Sequence, residues 1–218
     1  MNADFVPAGS VVADVGCDHG YVSIYLAEKK KCRCIAMDVR RGPLEIAEKN
    51  IKKFHLESMV ECRLSDGLHN LMPGEVDTLV IGGMGGMLMS RILSEKPDVL
   101  QDVSNLVLQP QSDWKEVRRT VHKSGFYIKK EACVLDGGKF YLAIQAVRGE
   151  EIELYNDAEY CFGRYLSRMR DMCFLEYLKG EKKTCETILQ SLAGKTGESV
   201  KVREQELMQR LEWMEELL

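Results

Sequence analysis

The chain predicts an α/β fold: a doubly wound, mostly parallel sheet with one antiparallel strand at its end, followed by a helical hairpin. Three observations predict it. Short strand-like runs, the first of them β-branched and apolar, alternate with helical stretches five times before residue 125. Two glycine-bearing turns directly follow such runs, at 16–20 and at 82–86. Beyond Arg148 no strand-like run and no proline occurs, and apolar residues recur at 3–4 spacing. The expected division is therefore 1–150 for the sheet domain and 151–218 for the helical part.

Each element follows from its residues. Val11 to Val15 is a β-branched strand, and a helix over about 20–30 ends in Lys29-Lys30-Lys31. A strand over 33–39 follows; Gly42-Pro43 starts the next helix, where proline suits the first turn. Leu44, Ala47 and Ile51 give that helix an apolar face. Strands are expected at 59–64, 76–81 and 105–108, with a helix from residue 86 to about Leu93. Asp113 with Glu116 predicts a capping pair for a helix to about Lys123. Strands over 126–134 and 139–147 close a hairpin through Asp136-Gly137-Gly138. In the tail, Tyr155 to Met172 and Leu207 to Leu218 read as the two arms of a helical hairpin or short coiled coil, broken by Gly194-Lys195-Thr196-Gly197. That tail is either a packing appendage or a partner arm presenting Arg164, Arg168, Arg170, Lys179, Lys182 and Lys183.

Composition excludes several classes. The chain is 45% hydrophobic and 29% charged, as in ordinary soluble domains. No apolar run approaches the ~20 residues of a membrane span. Met1-Asn2-Ala3-Asp4 lacks the basic and apolar regions of a secretion signal, so the cytoplasm is the expected compartment. Eight cysteines occur without a C-x-x-C, and with four histidines they match no zinc spacing; no metal is expected. Residues 1–150 carry 20 basic and 20 acidic side chains, whereas 151–218 carry 10 and 14, so the tail holds the whole net charge of −4. A nucleic-acid surface must then be a local patch.

The first glycine turn carries the chemistry. A dinucleotide site needs G-x-G-x-x-G, so that pyrophosphate meets bare backbone. Here the spacing is Asp14-x-Gly16-x-Asp18-x-Gly20. A carboxylate in that turn repels phosphate and welcomes a cationic amino group, as in S-adenosyl-L-methionine. Asp38, 22 residues after Gly16, is placed for ribose hydroxyls, which suits NAD and S-adenosyl-L-methionine equally. The acid turn disfavours a dehydrogenase. Strand ends at Asp14, Asp38, Asp66 and Gly82 all fall on one side of such a sheet.

An ordered set of motifs resembles a known family. Ala13-Asp14-Val15-Gly16-Cys17-Asp18-His19-Gly20-Tyr21, Arg41-Gly42-Pro43, Ser65-Asp66-Gly67-Leu68, Ile81-Gly82-Gly83-Met84-Gly85-Gly86, Leu108-Gln109-Pro110-Gln111 and Gly138-Lys139-Phe140-Tyr141 occur in that order. Together they resemble the bacterial tRNA (adenine(22)-N1)-methyltransferase family over about residues 5–148, and the helical tail fits the same family. The resemblance implies a Rossmann-like class I methyltransferase using S-adenosyl-L-methionine on N1 of an adenine in tRNA. It places Asp14, Gly16, Cys17, Asp18, His19 and Gly20 around the methionine part, Asp38 and Val39 at the ribose, and Asp66 and Gly67 at the adenine ring. Gly82, Gly83 and Met84 then stand where amino-group methyltransferases carry Asn/Asp-Pro-Pro-Tyr. Asp38 replaces a frequent Glu, Cys17 a frequent Ser, and the lead-in before Phe5 is shorter than the basic helix of relatives.

Adenine N1 is unprotonated at neutral pH, so alignment can replace a general base. Asp18 and His19 are expected near the methyl group as orienting residues. Arg40, Arg41, Lys115, Arg118, Arg119 and Lys123 are the expected phosphate contacts. The protein is expected to act as a monomer on tRNA. A small-molecule methyltransferase of the same fold and a non-catalytic RNA-binding module are the competing readings.

Overall fold

The computed structural model describes residues 2–218. The chain forms two compact units: 1–132 with 141–154, and 133–140 with 155–218. The division does not fall at residue 150; the hairpin tip at 133–140 goes with the helical part.

The first unit is built on strands β1 (Val11–Val15), β2 (Arg33–Asp38), β3 (Val60–Leu64), β4 (Thr78–Met84) and β5 (Asn105–Pro110). Two longer strands, β6 (Phe126–Asp136) and β7 (Lys139–Arg148), complete the sheet. The order across it is β3-β2-β1-β4-β5-β7-β6. β1 pairs in parallel with β2 and β4, and β4 with β5, whereas β5 and β7 are antiparallel. The antiparallel strand therefore lies inside the sheet, one place from its end, and β6 forms the edge. Burial explains the correction. Leu142, Ala143, Ile144 and Ala146 of β7 are fully buried, as a central strand requires. β6 exposes Lys129 and Lys130, which suit an edge.

Helices α1 (Asn2–Phe5), α2 (Tyr21–Lys30), α3 (Arg41–Lys53), α4 (Gly86–Glu95), α5 (Pro97–Leu100) and α6 (Trp114–Lys123) pack around this sheet. The strand–helix alternation is interrupted once, since residues 65–77 between β3 and β4 form turns. Leu79, Val80 and Ile81 of β4 are buried on both faces, each contributing roughly 1.5–3 kcal/mol of transfer free energy. The expected capping pair of α6 does not form. Asp113 sits in the left-handed region (φ 52) and its carboxylate accepts from Ser112 Oγ at 2.7 Å. Its backbone carbonyl instead accepts from Glu116 and Val117 N–H.

The second unit contains α7 (Asp157–Phe162), α8 (Arg164–Met169), α9 (Met172–Leu192) and α10 (Glu198–Leu217). The stretch 155–172 is thus two short helices rather than one arm, and the hairpin is made by α9 and α10. Gly163 (φ 88) and Arg170 (φ 48) interrupt the first helical period. Asn156 and Glu159 form a capping box on α7, and Asp171 caps α9. Leu178 and Cys185 on α9, and Leu207 and Met214 on α10, each recur one heptad apart and are buried. Lys182–Glu215 and Arg210–Glu181 ion pairs, both 2.9 Å, join the two helices. Arg164 is buried, paired with Glu159 at 2.7 Å and stacked on Tyr155. Arg164 and Lys182, two of the cations that the partner-arm reading of the tail would present, are thus engaged within the unit.

Candidate functional site

The carboxyl ends of β1, β2, β3 and β4 border one cavity of about 680 Å³. The turn after β1 is held from below: Gly16 and Cys17 N–H both donate to the Met37 carbonyl at 2.8 Å. Gly16 has φ 76, and a Cβ there would lie 2.9 Å from Met84 Cε. Gly20 caps α2 in the left-handed region, and a Cβ there would press Ala47 Cβ at 3.0 Å. These two glycines let the turn pack against its neighbours while leaving the cavity open.

The acids of the turn divide sharply. Asp14 is 4% exposed and does not line the cavity. Its Oδ2 accepts from Ser23 Oγ at 2.6 Å and Ser23 N–H at 3.2 Å, bracing the first turn of α2. Burial pushes its carboxyl up to about 6, against the opposing pull of the Ser23 hydrogen bonds. Asp38 is 6% exposed but borders the cavity. Its two oxygens accept from Asp18 N–H at 3.3 Å and Arg40 N–H at 2.9 Å, one donor from each flanking turn. Asp18 is exposed at the cavity, with φ 50.

His19 does not border the cavity. Its ring lies 3.6 Å from Asp18 Oδ1, and its carbonyl accepts from Asn50 Nδ2 at 3.0 Å. Cys17 is buried beneath the turn, and burial beside Asp14 and Asp38 pushes its thiol far up, so it is inert. Thus Gly16, Asp18, Asp38, Val39, Asp66, Gly67, Gly82, Gly83 and Met84 reach the cavity, whereas Asp14, Cys17, His19 and Gly20 support the turn behind it.

The far wall adds residues that sequence reasoning missed. Leu88, Arg91 and Ile92 line the cavity from α4. Their signal was the i, i+3, i+4 spacing immediately after the second glycine turn. Arg91 pairs with Asp66 at 3.3 Å and with Glu95 at 3.4 Å. Ser65 ties the site together: its N–H donates to the Asp38 carbonyl and its Oγ to the Gly67 carbonyl. Gly86 is a packing glycine, since a Cβ there would collide with the Ser112 carbonyl and meet Val117 Cγ2 at 2.9 Å.

The expected phosphate contacts also divide. Arg40 borders the cavity, and Arg41 is exposed at the start of α3. Lys123 is exposed at the end of α6, whereas Lys115 and Arg119 are half-buried. Arg118 is overturned as a phosphate contact: it is fully buried and its Nε donates to Glu131 Oε1 at 2.7 Å. The apolar face of α6 turns it under the sheet, where only a paired charge is tolerated.

Among the described residues no cluster of His, Cys, Asp or Glu could hold a metal ion, and no helix is long and apolar enough to cross a membrane.

Comparison with known proteins follows the same outline. The family profile for tRNA (adenine(22)-N(1))-methyltransferase matches residues 12–216. The tRNA (adenine(22)-N(1))-methyltransferase of Bacillus subtilis is 29% identical over 222 residues, covering 99% of this chain and 93% of that protein. The crystal structure of the B. subtilis m1A22 tRNA methyltransferase superposes with a TM-score of 0.92 at 28% identity, over 99% of this chain and 95% of that one. A Streptococcus pneumoniae protein described as a tRNA (m1A22) methyltransferase, in complex with S-adenosyl-L-methionine, superposes with a TM-score of 0.88 at 30% identity, over 100% and 96%.

Proposed function

The chain belongs to the tRNA (adenine(22)-N(1))-methyltransferase family, and on that premise we propose that its cavity aligns S-adenosyl-L-methionine with N1 of adenine 22 in tRNA. The observation that carries the reading is the meeting of four strand ends on one cavity, with a buried, pre-oriented carboxylate at Asp38 and bare glycine backbone on two sides.

The residues present fit this cofactor. Asp38 keeps lone pairs beyond those taken by the Asp18 and Arg40 N–H groups, so it can accept ribose hydroxyls. Asp18 offers a carboxylate to a cationic amino group and would repel a pyrophosphate. Asp66 and Gly67, with the apolar Leu88 and Ile92, suit a purine ring. When bound, S-adenosyl-L-methionine supplies an activated methyl group on a sulfonium sulfur.

The protein's own work is alignment. Adenine N1 presents a lone pair, and no proton has to leave before the methyl group arrives. The target base must leave its stack to expose that edge. The glycine backbone at 82–83 lets a ring approach closely, and Asp18 orients groups at the mouth, with His19 behind it in the turn. Arg40, Arg41 and Lys123 hold phosphates without reading sequence. A tRNA substrate makes the cytoplasm the compartment.

The test is transfer from labelled S-adenosyl-L-methionine to unmodified bacterial tRNA, followed by nucleoside analysis. N1-methyladenosine at position 22, lost with Asp38→Ala, is expected. Cofactor binding without transfer would return the site to a small-molecule methyltransferase. tRNA binding without cofactor binding would leave a non-catalytic RNA-binding module.

A further inference from the structure

The strand-end sequence Leu108-Gln109-Pro110-Gln111 has no role in the alignment described above. Gln109 stands opposite Gly82 in the β4–β5 ladder. The register shifts between Gly82 and Met84, leaving Gly83 bulged out with φ 74. β5 cannot continue the ladder through its main chain there, because Pro110 has no N–H. The Gln109 side chain takes over: its Oε1 accepts the Gly83 N–H at 2.9 Å. Beyond the bulge, Gln111 N–H donates to the Met84 carbonyl at 2.9 Å and closes it.

Gln109 is only 9% exposed, and its buried Nε2 has no hydrogen-bond partner among the described residues. Burying an amide with an unspent donor is costly, so the bond it does make has a use. That use follows from peptide geometry. No cis peptide occurs among the described residues, so the Gly82 carbonyl is trans to the Gly83 N–H and points the opposite way. With the N–H turned onto Gln109, the carbonyl faces away from β5, and both glycines of this peptide border the cavity. A Cβ at Gly83 would meet nothing within 4 Å, so a ring has open space against this peptide.

We propose that Gln109 is a positioning residue: by holding the Gly83 N–H it presents the Gly82 carbonyl as acceptor for the exocyclic amine of the target adenine. This rests on the methyltransferase reading above. The chemistry gives the acceptor a reason. The N1 lone pair forms the new N–C bond as the S–C bond breaks, and the S–C electron pair stays on sulfur as a neutral thioether. The positive charge passes to the adenine ring, and its amine becomes a stronger donor. A carbonyl held against that amine binds the transition state more tightly than the ground state.

The test compares Gln109→Leu, which removes the acceptor, with Gln109→Glu, which keeps an oxygen for the Gly83 N–H. Each is assayed on a tRNA carrying adenine at position 22 and on one carrying purine, which lacks the amine. Cofactor affinity and thermal melting are measured alongside. Gln109→Leu is expected to lower kcat on adenine at least ten-fold while leaving cofactor Kd within three-fold, with Gln109→Glu restoring most of the loss. On the purine tRNA the wild type is expected to fall to a similar rate, and Gln109→Leu to lose little more. Wild-type kcat in Gln109→Leu overturns the proposal. So does an equal loss on both tRNAs, or a loss that follows cofactor affinity and stability alone. Failure of the wild type to methylate adenine tRNA would strike the methyltransferase reading itself, a separate outcome.

Discussion

Asp14 and Asp38 stand near the ends of neighbouring strands, both almost fully buried, and they do opposite work. Asp14 receives its hydrogen bonds from Ser23, on the helix it braces, and does not line the cavity. Asp38 receives its bonds from the two turns that border the cavity, and it borders the cavity itself. Burial alone does not tell a brace from a ligand; the source of the hydrogen bonds does. Arg118 and Arg40 repeat the contrast. One guanidinium is locked onto Glu131 under the sheet, and the other stands at the rim beside Asp38.

The contrast can be broken at four points. Arg118→Ala should cost the most, about 3–5 kcal/mol in denaturant unfolding, because it strands Glu131 as an unpaired buried charge. A loss below 1 kcal/mol would remove Arg118 from the buried layer.

Asp14 comes next and has a sign. Its folded carboxyl sits at about 6 against an ordinary 3.8, so the folded chain holds a proton that the unfolded chain releases. Stability carried by this group is therefore full below pH 4 and falls as pH rises to 6, by about 3 kcal/mol at most. Asp14→Asn should gain on the wild type across that window in thermal melts at stepped pH. A constant difference between the two would reject the raised carboxyl.

Asp38→Ala should act on binding rather than folding. Losing charged hydrogen bonds worth about 1.5–3 kcal/mol would weaken cofactor binding roughly ten- to a hundred-fold in calorimetry. The Tm should move less than for Arg118→Ala. Arg40→Ala is the smallest change: an exposed cation lost at the rim should alter stability by within about 0.5 kcal/mol and raise KM for tRNA a few-fold, more at low salt. A large drop in Tm would turn Arg40 from a rim residue into a structural one.

Much of the site was legible because strand ends and glycine turns are local events. Asp18, Asp38, Asp66 and Gly83 were placed by counting from apolar runs to the turns that end them. Leu88, Arg91 and Ile92 were missed because a helix face has meaning only once its neighbour is known. Asp14 and Gly20 were near the turn but not in the cavity; which side of a turn faces a ligand depends on what packs behind it, here Ser23 and Ala47.

The sequence by itself determined the elements whose causes lie within a few residues: five short strands, the glycine turns, the Asp136-Gly137-Gly138 hairpin and the helical tail. Tertiary structure alone decided that β7 inserts beside β5 and that Arg118 belongs to the core. It also decided that Gln109 reaches across to Gly83. The physical reason is common to all three. A side chain far along the chain, or a whole strand, takes its place by the partner that satisfies it, and that partner is chosen only when the sheet closes.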